Sequence, residues 1–281
     1  VTGLSRWSVL LEADATASTI DHLGRTVALY GRTVHVEGDR VELKDLDPDY
    51  AKIDTLGDGF VLARPRCDKA AVNGWIVDAD GHVTTAWHAG DGIENVTTDP
   101  AGAIWIGYFD EASIVLPGRS GTPHEMRMPG LIRWTARGEP TWRTWWDRFG
   151  YLNCWVNVFA VNVGDSRVLT CNYRGHPLVE IDDRGIRRVQ RIPVEKADGV
   201  LVDGEDVAIV HTGLNTGWRG GSTPGVYGVT RFRIGDEVGV TTPLLMPDGS
   251  TPPSWIRRRV CRGNRMWMQF EDRRIWYALE L

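Results

Sequence analysis

The stretch "DPAGAIWIGYFDE", residues 99–111, decides the fold. An apolar run as short as Ile104 to Phe109, with a glycine turn in front and two acids behind, is a β-strand. A helix with one buried face needs about a dozen residues of three-and-four spacing. Asp110 and Glu111 then sit just off the strand's end.

The same unit recurs along the chain. Anchored on a turn glycine, it reads "GRTVALYG" from Gly24, "GDGFVLARPR" from Gly57, "AGAIWIGYFDE" around Gly102, "GDSRVLTCNYR" from Gly164, "GEDVAIVHTG" from Gly204 and "GNRMWMQFEDR" from Gly263. Anchor spacings of roughly 33 to 60 residues suit four-stranded propeller blades with loop insertions. Further short β-rich runs flank these strands, as in "IENVTTD" upstream of one and "GWIVDAD" with "HVTTAWH" downstream of another. No window sustains helical spacing. The fold class is therefore read as all-β: a single six-bladed β-propeller over residues 1–281 with four-stranded antiparallel blades. The blades fall near 19–50, 51–91, 92–153, 154–195, 196–250 and 251–281. The last repeat supplies three strands, while residues 4–13 hold a strand with no blade of its own. Pairing this N-terminal strand with the C-terminal blade is predicted to close the ring and remove exposed sheet edges. A pair of β-sandwiches is the rival fold, and it leaves the sixfold register unexplained.

The chain has 281 residues, 42% hydrophobic and 25% charged, with a formal net charge of -5. That balance offers nucleic acid or an anionic membrane no bulk attraction, so neither is expected as a partner. No run reaches the roughly 18 apolar residues of a membrane span, and the opening "VTGLSRWSVLLEADA" lacks a signal-peptide layout. A cytoplasmic monomer is expected, although the opening Val leaves room for a cleaved leader. Cys67, Cys154, Cys171 and Cys261 are scattered without close pairing and read as reduced core thiols. Thirteen tryptophans suit the gaps between splayed sheets; Trp142, Trp145 and Trp146, crowded in "PTWRTWWDRFG", either cap a blade or cover a ligand.

In a propeller the strands of a blade alternate direction outward from the axis. The exits of the second strands therefore share one face, where ligand sites are usually built. The residues expected there are Arg64 and Arg66, then Tyr108, Asp110 and Glu111, then Asn172, Tyr173, Arg174 and His176. His211 follows with Asn215, Trp218 and Arg219, and Glu271 comes last. The arginines suit a carboxylate or phosphate on the substrate, and the aromatic residues suit a ring. Charged residues at strand exits are also ordinary solvated turn residues.

A sharper pattern lies in the innermost strands. Aligning "IENVTTD", "VNVFAVN" and "ADGVLVD" on Asp99, Asn162 and Asp203 puts Glu94, Asn157 and Asp198 at one offset. Such oxygen ligands suit a hard divalent cation, Ca2+ or Mg2+, rather than zinc. The alternative is an ion pair with Arg257 and bound water. The oxygen ring and repeats such as "VTTDPAGAIWIGYFD" resemble the six-bladed propellers of the gluconolactonase and regucalcin family, and of the NHL-repeat and streptogramin-lyase type. In the gluconolactonase family a Glu, an Asn and an Asp hold a divalent metal at the tunnel mouth, and a sugar lactone is hydrolysed. The resemblance implies Glu94, Asn157 and Asp198 as the ligands.

His211 is the leading base, since its blade also supplies Asp198, and His176 is the reserve. Asp110 and Glu111 form a second acid/base candidate, because close like charges raise one pKa. No Walker loop, G-x-S-x-G elbow or H-E-x-x-H is present, so no organic cofactor is expected. The function expected is a small-molecule hydrolase or lyase with its site at the mouth of the central tunnel and a divalent metal as its candidate cofactor. The alternative is a non-catalytic propeller holding a peptide or protein on the same face.

Overall fold

Turn chemistry sets the hairpins. Asp21 accepts hydrogen bonds on Oδ1 from the backbone amides of Leu23 (3.0 Å) and Arg25 (2.8 Å), while its carbonyl accepts the Gly24 amide. Asp78 repeats this arrangement, and Thr135 does so through its hydroxyl. Asp99 holds the Ala103 amide in the same way, and its carbonyl accepts the Gly102 amide. Gly102 has a φ of 83°, a left-handed conformation that closes the turn and that side chains resist. The Asp-x-x-Gly pattern is thus a turn device. Gly263, at φ 52°, opens a tighter two-residue hairpin between Arg262 and Arg265.

The computed structural model describes residues 2–49, 51–68, 71–109, 130–144, 155, 158–172, 177–194, 196–212, 227–253 and 255–281. Short strands β1 (Thr2–Gly3) and β2 (Ser5–Val9) precede the first repeat. The first sheet is β3 (Ala17–Ile20), β4 (Thr26–Tyr30), β5 (Thr33–Val36) and β6 (Asp39–Glu42). The second is β7 (Lys52–Leu56), β8 (Gly59–Ala63), β9 (Gly74–Val77) and β10 (Val83–Trp87). The third is β11 (Ile93–Thr98), β12 (Ile104–Tyr108), β13 (Leu131–Trp134) and β14 (Pro140–Arg143). The fourth is β15 (Val158–Val163), β16 (Val168–Asn172), β17 (Leu178–Asp182) and β18 (Gly185–Gln190). The fifth is β19 (Ala197–Asp203), β20 (Asp206–Thr212), β21 (Tyr227–Arg233) and β22 (Val240–Leu245). The sixth begins with β23 (Arg258–Arg262), β24 (Arg265–Gln269) and β25 (Ile275–Glu280).

The fourth strand of the sixth sheet is β2, antiparallel to β25 with Ser5 opposite Ala278 and Val9 opposite Ile275. The strand missing from the last repeat is therefore supplied from the start of the chain. β1 adds a short parallel strand to β22. Among the described residues there is no helix, and none that is long and apolar enough to cross a membrane. This is the all-β propeller fold that the repeats predict: among the described residues there are six sets of blade strands, the fourth and sixth joined into one eight-stranded sheet where Asn162 of β15 pairs in parallel with Cys261 of β23.

Two compact units divide the sheets. One comprises residues 15–158 and 172–174 and contains the first three sheets; the other comprises 1–14, 159–171 and 175–281 and contains the last three. In the first unit, Leu29, Leu62 and Trp75 form one core cluster, and Ile76, Ile106 and Trp134 another. In the second, Leu169, Leu178 and Ile209 cluster together, as do Leu201, Met266 and Met268. β8, β12 and β16 are buried at every position, which explains why a run such as Ile104 to Tyr108 is apolar throughout rather than alternating. Each buried Val, Leu, Ile or Phe among them stabilises the fold by roughly 1.5–3 kcal/mol.

The described cysteines are free thiols: Cys171 and Cys261 are buried, and Cys67 is half-buried. Burial pushes the Cys261 thiol up to about 12 and the Cys67 thiol to about 11, with Asp91 and Asp68 adding to the latter. None of these is an activated nucleophile. Cys154, Trp145 and Trp146 lie outside the described residues. Trp142 packs against Trp105 with ring centroids 5.9 Å apart.

Candidate functional site

The offset shared by Glu94 and Asp198 has a backbone cause. In β11, Ile93 pairs with Tyr108 and Asn95 with Gly107; in β19, Ala197 pairs with His211 and Gly199 with Val210. Glu94 and Asp198 are each the extra residue of a β-bulge. A bulge breaks the alternation of the pleat and re-aims one side chain. Two neighbours of Asp198 are tuned to this bend. Lys196 has a φ of 63°, a left-handed value that costs a non-glycine residue roughly 1–2 kcal/mol. At Gly199, an added Cβ would strike the sulfur of Met266.

Among the described carboxylates of the second unit, Asp198 is the one whose pKa burial raises. Its Oδ1 lies 3.3 Å from Nη1 of Arg259, and both side chains are about four-fifths buried, at 21% and 19% exposed. Oδ2 is buried and makes no hydrogen bond of good geometry among the described residues. Burial pushes the carboxyl pKa up, opposed by Arg259, Thr212 and Lys196. Beside this pair stands Tyr227, whose hydroxyl accepts the Ile256 amide at 3.1 Å. Burial raises that phenol to about 12, and Asp198 adds to the shift while Arg259 opposes it.

His211, on β20 opposite the start of β19, is 5% exposed. Its Nε2 lies 2.9 Å from Oγ1 of Thr230. Burial lowers the imidazole pKa, so the ring is neutral near pH 7. Asp198, Arg259, Tyr227 and His211 thus bring a carboxylate, a guanidinium, a phenol and a neutral imidazole to one end of the fifth and sixth sheets.

The other expected site residues divide differently. The charge partner of Asp198 is Arg259, not Arg257. Arg257 precedes β23, donates its backbone amide to Gln269 and leaves its side chain exposed. Tyr108 lines no surface: it is wholly buried in the first unit and donates its hydroxyl to the Ala89 carbonyl, because β12 is covered on both faces. Arg64 lies over the Trp75 ring at 5.3 Å and donates to the Asp47 carbonyl at 2.8 Å. Arg66 lies over Phe109 at 4.5 Å and pairs with Asp91 at 3.4 Å. Asn172 ends β16 wholly buried, and neither amide atom finds a partner among the described residues. Glu271 is exposed and Glu94 half-buried in the first unit. Asp110, Glu111, Asn157, Tyr173, Arg174, His176, Asn215, Trp218 and Arg219 lie outside the described residues. Among the described residues no group of three or more His, Cys, Asp or Glu side chains is placed to hold a metal ion. Sequence reasoning missed Arg259 and Tyr227, although the strand alternation of "RRRVCR" would have put Arg259 on the face opposite Arg258.

A cavity of about 820 Å³ opens in the first unit, at the turns rather than the bulges. It is lined by His22, Arg25, Phe60 and Asp99 among others, and both Asp99 and Arg25 are engaged in structure. Asp99 accepts the Ala103 amide and the Trp105 indole N–H, and Asp21 holds Arg25 at 2.8 Å.

Comparison with solved structures agrees with the fold. A gluconolactonase from Xanthomonas campestris matches at a TM-score of 0.52 and 13% identity, over 100% of this chain and 88% of that one. A luciferin-regenerating enzyme matches at 0.51 and 14%, over 98% and 92%. The chain shares their propeller fold. At such low identity the likeness shows the fold alone. No family model and no curated protein matches the chain.

Proposed function

We propose that the chain is a small-molecule hydrolase or lyase, with a lactone or ester as the leading substrate class, whose chemistry is carried by Asp198, His211 and Arg259. The observation that carries this reading is the Asp198 carboxylate: re-aimed by a bulge, largely buried, balanced by Arg259 and Thr212, and left with one buried oxygen that no close hydrogen bond saturates. Buried acceptors are normally satisfied, and exceptions cluster where a ligand completes them. Arg259 suits the carboxylate or carbonyl of a substrate, and His211 is the neutral base that takes a proton from the attacking water. The name of one fold neighbour, a gluconolactonase, supports hydrolysis over elimination.

Oδ2 of Asp198 also has the chemistry of a ligand to Ca2+ or Mg2+. A bound divalent ion would supply carbonyl polarisation and a more acidic water. The test is turnover of a panel of sugar lactones and aryl esters, with and without added Ca2+, Mg2+ or Mn2+, by wild type and Asp198→Asn. Turnover that falls on the order of 100-fold in the variant is expected. Saturable peptide binding with no turnover in any metal would mark a non-catalytic module instead.

A further inference from the structure

The hydrogen bonds that hold His211 continue beyond it. Its Nε2 lies 2.9 Å from Thr230 Oγ1, and Thr230 Oγ1 lies 2.8 Å from Thr241 Oγ1. The three residues come from three consecutive strands, β20, β21 and β22, and Thr230 and Thr241 face one another in register. His211 and Thr230 are buried, at 5% and 1% exposed, whereas Thr241 is exposed. Opposite His211 stands Gly228, where a Cβ would come 2.7 Å from Cε1 and 2.9 Å from Nε2. The ring therefore lies against bare β21 backbone, and only glycine lets it reach Thr230.

A hydroxyl donates one hydrogen bond and accepts others, so two in series pass a proton by a concerted switch of donors. Such a path matters for a base in this position. A buried imidazolium is costly, and a ring that must store the proton it removes is a poor base in an apolar sheet. We propose that Thr230 and Thr241 form a proton path across the fifth sheet, from the buried His211 ring to solvent, through which the ring works without accumulating charge. The proposal rests on the reading of His211 as the base.

The transfer balances as follows. As Nδ1 takes a proton from the attacking water, the Nε2–H bond breaks and that proton bonds to Thr230 Oγ1. Thr230 gives its own proton to Thr241, and Thr241 gives its own to bulk water. The ring is left neutral as the Nδ1–H tautomer. When Nδ1 protonates the leaving alkoxide, the path runs in reverse and the Nε2–H tautomer returns. Thr230 and Thr241 are positioning residues, since neither touches the reacting atoms.

Three variants test the path. Thr241→Val alters an exposed position, Thr230→Val keeps the branched shape without a hydroxyl, and Thr230→Ser keeps the hydroxyl. In 15N-labelled wild type, His211 is expected as the neutral Nε2–H tautomer at neutral pH. Its ring N–H should exchange with water at least about tenfold faster than in either valine variant, with Thr230→Ser at the wild-type rate. If lactone or ester turnover is found, kcat should fall roughly 10- to 100-fold in both valine variants, with KM unchanged. An Nδ1–H tautomer in resting wild type, or equal exchange in wild type and Thr241→Val, overturns the path whatever the activity. A wild type with no turnover overturns the proposed function, and the exchange data still judge the path.

Discussion

The first strands of the sheets carry buried polar groups at both ends, but the two ends are finished differently. At the turn end, Asp54 is wholly buried and accepts the Thr98 amide at 2.7 Å, the Thr98 hydroxyl at 3.1 Å and the Thr55 amide at 3.0 Å. Asn162 does the same for the other unit: its Nδ2 donates to the carbonyls of Val200 and Gly263, and its Oδ1 accepts the Gly263 amide. At the bulge end, Asp198 is held by Arg259 and Thr212 and keeps one buried oxygen with no close hydrogen bond. The saturated groups staple neighbouring strands together. The unsaturated one is where a ligand has something to gain.

The comparison breaks first at Asp54. Asp54→Ala strands the buried Thr98 and Thr55 amides and should cost about 4 kcal/mol, read as a shift in the denaturant midpoint. Asn162→Ala removes three hydrogen bonds in the second unit, and a loss of about 3 kcal/mol is expected in the same assay. An unchanged midpoint in either case would mean that the staples are dispensable. Next comes Gly228→Ala: its methyl must displace the His211 ring, so a loss of about 2 kcal/mol should appear in thermal unfolding. Smallest is Asp198→Asn, expected within about 1 kcal/mol of wild type at neutral pH despite its effect on turnover.

That last variant has a signed pH dependence. Burial raises the folded-state pKa of Asp198 above its unfolded value. Between the two values the folded chain binds more proton, so wild-type stability falls as pH rises through that window. Asparagine cannot titrate. The stability of Asp198→Asn relative to wild type should therefore increase between about pH 3 and about pH 7, measured by denaturation at both. A difference that shrinks instead would mean that the Arg259 pairing outweighs burial.

Most of the fold was legible because its signals are local. Turn glycines, Asp-x-x-Gly sequences and short apolar runs each specify a hairpin without help from the rest of the chain. The unmatched strand at residues 4–13 was legible by subtraction, and β2 does pair with β25. The site was legible only in part. The common offset of Glu94 and Asp198 registered in the sequence because both are bulge residues. Which arginine meets Asp198 was not legible, since "IRRRV" offers three in a row and only the start of β23 decides their faces. Tyr108 looked like a rim residue because it ends an apolar run, but its hydroxyl is satisfied inside by a carbonyl that no sequence pattern announces.

The N-terminal segment has a consequence for synthesis. Thr2 bonds to Thr242, 240 residues away, and Ser5 to Ala278 across 273. During synthesis these strands emerge before their partners and wait for the chain across separations of 240 and 273 residues to be made. Until β22 and β25 arrive, β1 and β2 have no strands to pair with, so the backbone of "SRWSV" is itself an unpaired edge. Nascent chains arrested before residue 240 should therefore be the species most prone to associate with one another and most dependent on chaperones.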